Sequence, residues 1–410
     1  MNKKQSGIGF IFVTLLIDVM GWGLIIPVMA PLIAELKQIP INQASTYGAL
    51  LLSVFAIMQF VFAPVVGNLS DRYGRRPILL AALFGFGVDY IVLALAPSYG
   101  WLFLGRIIAG MTGASFTTAA AYIADVSTNE NRAKNFGMIG AAFGLGFVLG
   151  PALGALLATW GIRAPFYGAA TLCLLNFLYG YFVLPESLDK KNRRPFEWKR
   201  ANPFGSLKFL TKHPEIGELA ICFFLVYLGA QAVQANWNFF TVYRFGWREA
   251  MVGISLAVVG VLVGAVQAGL TRVVNPKIGD NNSIYVGLAL YTVGLVLFAF
   301  ATETWMMFAF LVPYCLGGIC GPSLQSVISA HVAPNQQGEL QGALTSLMSV
   351  TTIIGPPLMN STFAYFTSEK APFHLPGVHF LIGAACMLVS FLVAYRILSR
   401  EKAAPALSNK

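Results

Sequence analysis

The sequence predicts an all-α membrane protein with twelve transmembrane helices in two pseudo-symmetric six-helix bundles. Three observations carry that prediction. Hydrophobic residues make up 57% of the 410-residue chain and charged residues only 11%, too apolar a balance for a water-soluble globule of this length. Twelve apolar runs are each long enough to cross a hydrocarbon core of ~30 Å, which takes ~20 helical residues. Finally, glycines recur at one constant offset between the two halves. Gly74, Gly113, Gly137, Gly150 and Pro151 reappear as Gly279, Gly318, Gly342, Gly355 and Pro356, each 205 residues on. Two halves with the same order and an even number of crossings form a parallel repeat about an axis normal to the membrane.

The runs are expected at 7–34, 46–69, 78–97, 100–124, 135–158, 163–184, 217–243, 250–272, 283–301, 304–330, 340–366 and 376–398. The first is about twice the length of a signal-peptide core and continues through Pro27 and Pro31, so it reads as a retained span. The second and third are joined by the hairpin GNLSDRYGRRP at 67–77, the fourth carries Arg106, and the fifth is rich in glycine. After the sixth comes the only long polar segment, which reads as a linker. The domains expected are therefore an N-terminal bundle at 1–184, a linker at 185–216 and a C-terminal bundle at 217–410. On the seventh run Tyr227, Gln231, Gln234 and Asn238 recur as one helical stripe flanked by Asn236 and Trp237. Such a stripe suits either a cavity wall or hydrogen bonds between helices. The remaining runs follow with short connectors, which leave no room for a soluble domain.

Charge orients the spans. Of the 27 Lys and Arg residues, 21 fall on the side that holds both termini and the charged hairpin, and five fall on the other. The positive-inside rule then places the hairpin, the linker and both termini in the cytoplasm. The net charge of +10 is topological, which argues against nucleic acid as a partner. All five cysteines lie inside spans with no CxxC pair, so neither a disulfide framework nor a metal site is expected. No HExxH, GxSxG or phosphate-binding glycine loop with Lys is present, and no enzyme activity or cofactor is expected.

Three ionisable residues lie well inside spans: Asp18, Asp89 and Arg106. Each is costly in lipid, by ~2.5–3.5 kcal/mol on insertion scales, and so faces a cavity or a partner. From the rise per residue, Asp18 and Asp89 sit about 16 Å deep, and Arg106 about 5 Å from Asp89 along the membrane normal. An Asp89–Arg106 pair that ties two helices together is one reading, and a part in proton coupling is the other. Asp18 has no cation at its depth and is the better candidate for reversible protonation. At the repeat offset these three positions hold Phe223, Gly294 and Leu311, so proton chemistry is expected in the N-terminal half alone.

The hairpin resembles the loop 2-3 signature of the major facilitator superfamily, through Gly67, Asp71, Arg72, Gly74, Arg75 and Arg76. Arg106 with Gly110, and Gly137, Gly146, Gly150-Pro151 and Gly154 on helix 5, match two further signatures. The latter is similar to the antiporter motif, except that Ala155 stands where a second Gly would end it. Within the superfamily the chain resembles the tetracycline-efflux group of drug:proton antiporters, through GLIIPV (23–28), GFGVDY (85–90), GRIIAGMTGAS (105–115), GGICGPSLQ (317–325) and QGELQG (337–342).

The resemblance implies a secondary transporter working by alternating access, driven by the proton gradient without a cofactor. It implies a small organic substrate, a bacterial inner-membrane location and a functional monomer. It also implies that Asp71 with Arg75 and Asp125 forms a conformational latch, and that helices 1, 4, 7 and 10 line the central cavity. Thr112, Ser115, Phe116 and Gln325 would then join Tyr227, Gln231, Gln234, Trp237 and Asn238 as cavity candidates. The classical tetracycline exporters place a histidine on helix 8 and an aspartate on helix 9, where this chain has Val263 and Tyr291. A more apolar or uncharged solute than a metal–tetracycline chelate is the expectation. The rival is import of a sugar or metabolite by symport or uniport, which the same fold supports.

Overall fold

The computed structural model describes residues 3–113, 115–127, 132–193, 195–196, 198, 210, 214–331 and 337–408. Among the described residues all regular structure is helical. Labelled by crossing, the first six helices are α1 (Lys3–Lys37), α2 (Ile41–Tyr73), α3 (Arg75–Leu95), α4 (Tyr99–Thr112 and Ser115–Val126), α5 (Arg132–Ala158) and α6 (Ala164–Val183). Then come α7 (Pro214–Gln234 and Trp237–Phe245), α8 (Glu249–Ala265, a π-turn at Val266–Leu270, then Thr271–Ile278) and α9 (Asp280–Ala299). The last are α10 (Thr304–Leu316, a 3-10 turn at Gly317–Ile319, then Cys320–Ala330), α11 (Gln337–Phe366) and α12 (Val378–Ser408). Ten of these are long and apolar enough to cross a membrane by themselves. The other two, α4 and α8, reach that length only when their segments are taken together.

Several helices outrun the apolar stretches that predict them, because a helix entering the headgroup region keeps its hydrogen bonds until a residue breaks it. For α2 that residue is Gly74, whose φ of 109° few other residues tolerate. Its amide closes on the Ser70 carbonyl at 3.0 Å, and α3 starts at the next residue. Gly279 does the same between α8 and α9, with φ 81° and a 2.9 Å bond to the Asn275 carbonyl. The glycine repeat is thus a repeat of backbone geometry.

By contacts the chain divides into two compact units: Met1–Pro203 with Trp247–Gly260, and Phe204–Gly246 with Val261–Lys410. In the first, Phe10, Ile11 and Leu15 of α1 pack with Leu79 and Leu83 of α3, Ala119 and Tyr122 of α4 and Ala142 of α5. Gly146, Gly150 and Gly154 recur every fourth residue and so share one face of α5. Against them lie Val19, Met20, Gly23 and Leu24 of α1. A methyl group on Gly150 would come within 2.8 Å of the Met20 carbonyl oxygen, so the glycines let two backbones touch. In the second unit Gly355 of α11 receives the side chain of Gln231 from α7, and Gly294 of α9 lies against the Tyr314 backbone of α10.

This packing predicts a contrast between two glycines on one helix. Gly150→Ala should cost ~1–3 kcal/mol through overpacking against rigid backbone. Gly144→Ala, with nothing within 4 Å of the added carbon, should be silent. Thermal midpoints of the detergent-solubilised variants check this, and equal midpoints would contradict the α1–α5 contact.

Candidate functional site

The ionisable residues inside the N-terminal spans come from three helices. Asp89 on α3 is fully buried and Arg106 on α4 is 6% exposed. The Arg106 guanidinium donates through Nη2 to Asp89 Oδ2. Gly105, next to Arg106, leaves room for the other carboxylate oxygen: a methyl there would sit 2.6 Å from Asp89 Oδ1. On its far side the guanidinium lies 6.0 Å from the centre of the Phe55 ring of α2. Asp18 on α1 is half-buried with both carboxylate oxygens shielded from solvent.

At the hairpin, Arg75 is the hub. Its Nη1 donates to Ser70 Oγ (2.7 Å) and Asp71 Oδ1 (2.6 Å), and its Nε donates to Asp125 Oδ2 (3.1 Å) at the end of α4. Charge-assisted bonds of this kind are among the stronger polar contacts. Arg76 donates to the Tyr181 carbonyl at 2.6 Å, Arg72 lies 5.1 Å from the ring centre of Tyr73, and nothing lies within 4 Å of a methyl placed on Gly67.

One hub residue escaped the sequence reading. Glu186, the second residue after Leu184, accepts the backbone N–H of Arg75 (2.8 Å), Arg76 (3.3 Å), Ser187 (3.0 Å) and Leu188 (3.1 Å). It therefore satisfies free amides at the start of α3, the job of a helix cap. Ser187 Oγ adds a bond to Asp125 Oδ2 (2.9 Å), and the Tyr122 hydroxyl donates to the Pro185 carbonyl (3.1 Å). The first residues of the linker are docked on α3 and α4. A carboxylate just past a span end, in an otherwise basic stretch, was the available signal.

The counterpart hairpin of the C-terminal half has another chemistry on the same backbone. Asp280 stands 205 residues after Arg75 and accepts the hydroxyls of Ser323 and Ser326, both at 2.8 Å. Asn275 Nδ2 donates to Ser323 Oγ (2.8 Å), and these residues line a cavity of about 400 Å³.

The cavity candidates separate. Thr112 packs on Gly85 of α3 and returns its hydroxyl to the Ile108 carbonyl at 3.0 Å. Ser115 and Phe116 begin the second segment of α4, and their side chains lie outside those described. The stripe on α7 is cut, since the helix ends at Gln234 and restarts at Trp237. Tyr227, Gln231 and Gln234 share the first segment, while Asn238 belongs to the next. Tyr227 lies against Phe223 with the rings tilted (4.6 Å between centres), Gln231 is buried over Gly355, and Gln234 is exposed. Trp237 is buried with its ring 5.3 Å from Phe298, and Gln325 is exposed on α10. Asn236 donates to Asn360 Oδ1 at 2.9 Å, so an amide bridge joins α7 to α11. Tyr291 lies over Gly317, 5.2 Å from the Tyr314 ring. Among the described residues no group of three or more His, Cys, Asp or Glu could hold a metal ion, and all five cysteines are free.

The family model described as Major Facilitator Superfamily matches residues 11–356 and 277–410. The chain belongs to this superfamily. It is a multi-pass membrane protein of a class that moves small solutes. It is 40% identical over 387 residues to the class C tetracycline resistance protein of Escherichia coli, covering 94% of this chain and 96% of that protein. It is 41% identical over 342 residues to the class G tetracycline resistance protein of Vibrio anguillarum, covering 83% and 86%. The solved human organic anion transporter MFSD10 shares the fold, with a TM-score of 0.73 at 23% identity, over 96% of this chain and all of that one.

Two outcomes follow from the site's geometry. Arg106→Ala strands a buried carboxylate and Asp89→Asn strands the guanidinium, and breaking a buried pair in this way costs about 3–5 kcal/mol. Folded yield by gel filtration should fall for both. Normal yield with lost transport in both would assign the pair to the transport chemistry instead. Separately, Glu186→Ala should lower the thermal midpoint by about the worth of a helix cap, ~1 kcal/mol, and free the linker start to added protease. Unchanged proteolysis would count against the docking.

Proposed function

We propose that the protein is a proton-driven exporter of an amphipathic organic compound. It works by alternating access between an N-terminal bundle (1–184) and a C-terminal bundle (217–410) joined by the linker at 185–216. The supporting observation is the near full-length likeness, at 40% identity, to a protein named for tetracycline resistance. The site is bacterial inner membrane with both termini cytoplasmic, the working unit is a monomer, and the proton gradient is the energy source.

In this reading Asp18 carries the proton, with the Asp89–Arg106 pair beside it. A half-buried carboxylate inside a span is a natural loading site, because its neutral form tolerates low dielectric. The network of Asp71, Arg75 and Asp125 holds the ends of α2, α3 and α4 as one body and acts as the latch. Gly146, Gly150, Pro151 and Gly154 keep α5 against α1, so that the bundle moves as a unit, while the surroundings of Gly137 lie outside those described. The polar and aromatic residues of α7 and α10 receive the solute. Tyr291 and Val263 put an uncharged wall where the classical tetracycline exporters carry titratable groups, which favours an apolar or uncharged solute.

A growth-inhibition panel that includes tetracycline, with an overexpressing strain, tests the reading. Protection is expected against apolar organic compounds, with little or none against tetracycline, and it should disappear in Asp18→Asn. In proteoliposomes holding whichever compound scores, Asp18→Asn should abolish gradient-driven movement while solute exchange continues. Full gradient-driven transport by the Asn variant would remove Asp18 as the proton site.

A further inference from the structure

The turn that joins α8 to α9 repeats the backbone of the charged hairpin and inverts its chemistry. In the first half the Arg75 guanidinium is gripped by Ser70, Asp71 and Asp125. At the repeat offset, Arg75 is replaced by Asp280, Ser70 by Asn275, and the two carboxylates by Pro276 and Ala330. The second half thus has a carboxylate where the first has its cation, and a short side chain where the first has a long one. In that place lies the cavity of about 400 Å³, lined by Thr271, Asn275 and Pro276 of α8, Asp280 of α9, and Ser323 and Ser326 of α10.

The hydrogen-bonding capacity left over around this cavity is all of one kind. Asn275 Nδ2 donates to the Ile319 carbonyl (3.1 Å) and to Ser323 Oγ (2.8 Å), and a carbonyl can only accept, so the orientation of the amide is fixed. Oδ1 is the free end. Asn275 is only 8% exposed, yet this oxygen has no hydrogen-bond partner among the described residues. A buried acceptor left bare is costly and marks the place of a missing donor. Ser323 and Ser326 spend their hydroxyl hydrogens on Asp280, and Thr271 spends its own on the Val266 carbonyl at 2.8 Å. Among the described residues Asp280 makes no ion pair, and neither does Lys277 on the same turn. Acceptors around a negative charge select a cation that brings its own N–H groups. A bare metal ion is too small for the space, since even a water molecule takes only ~30 Å³.

We propose that this cavity binds the guanidinium or primary ammonium group of an organic cation, held between the Asp280 carboxylate and Asn275 Oδ1. The bound group does for the second half what Arg75 does for the first, as a ligand instead of a side chain. Its effect follows from where the site lies. α8 is interrupted at Val266–Leu270 and α10 at Gly317–Ile319, in each case shortly before the residues that line the cavity. A bound cation therefore clasps the end segments of α8 and α10 to the start of α9, beyond both interruptions. The site is separate from Asp18 and from the residues assigned to the transported solute, and stands or falls without them.

The test is calorimetric titration of the purified full chain in nanodiscs of phosphatidylcholine, a lipid whose quaternary ammonium has no N–H to donate. Agmatine, which carries a guanidinium at one end and an ammonium at the other, is the probe, at constant ionic strength. Saturable binding is expected that sodium chloride does not reproduce, weakened at least about tenfold by Asp280→Asn, the scale of a lost hydrogen bond to a charged group. Ser326→Lys, at an exposed position, supplies the chain with an ammonium of its own beside Asp280. It should abolish agmatine binding and raise the thermal midpoint in the absence of probe, and it decides the matter if Asp280→Asn does not fold. Nanodiscs containing phosphatidylethanolamine distinguish the sources of the cation. Weaker agmatine binding there assigns the site to the lipid headgroup, and unchanged binding assigns it to a soluble amine. Agmatine that fails to bind in phosphatidylcholine, or that binds both variants as well as the wild type, overturns the proposal.

Discussion

A hydrocarbon interior offers no hydrogen bonds, so every polar group carried into it has to find its partner within the protein. That constraint accounts for most of what distinguishes this chain from a bundle of oily rods. Asp89 enters with Arg106. The amide of Asn236 meets Asn360. Where α4 breaks after Thr112, Gln59 of α2 donates to the Gly113 carbonyl at 3.1 Å and takes up the acceptor that the helix left open. Without a hydrophobic force to press helices together, close approach has to come from small residues, and the α1–α5 contact is built from them.

The same constraint explains how much could be read in advance. The twelve crossings were legible because an apolar run of the right length has few other uses. The Asp89–Arg106 bond was legible from depth arithmetic, since two charges on adjacent spans at neighbouring levels have a strong reason to meet. Interruptions inside spans were not legible. The interruptions at Ala235, at the π-turn Val266–Leu270 and at Gly317–Ile319 fall inside runs long enough to cross the membrane, and run length carries no mark of the break. This is why Asn238 leaves the stripe that Tyr227, Gln231 and Gln234 keep. Glu186 was missed for a different reason: its partners are backbone amides, which have no sequence signature.

The two hairpins show what the internal repeat preserves. Gly74 and Gly279 make the same one-residue turn, and Gly150 and Gly355 each admit a neighbouring helix. Side-chain chemistry does not follow. Arg75 gathers carboxylates, whereas Asp280 at the matching position gathers hydroxyls. Duplication of the backbone with divergence of charge leaves the first half with the buried Asp89–Arg106 pair and the second with amides, aromatic rings and the buried His379.

The docking of Pro185, Glu186 and Ser187 on α3 and α4 bears on the tether between the halves. A connector reaches only as far as its undocked contour, at ~3.3–3.6 Å per extended residue. With Tyr122 holding Pro185, Glu186 capping α3, and Arg193 3.9 Å from Glu186, the stretch up to Arg193 adds almost nothing to that contour. The stretch from Pro185 to Arg193 therefore belongs mechanically to the first half, and an insertion placed within it would unseat the anchor rather than lengthen the connector.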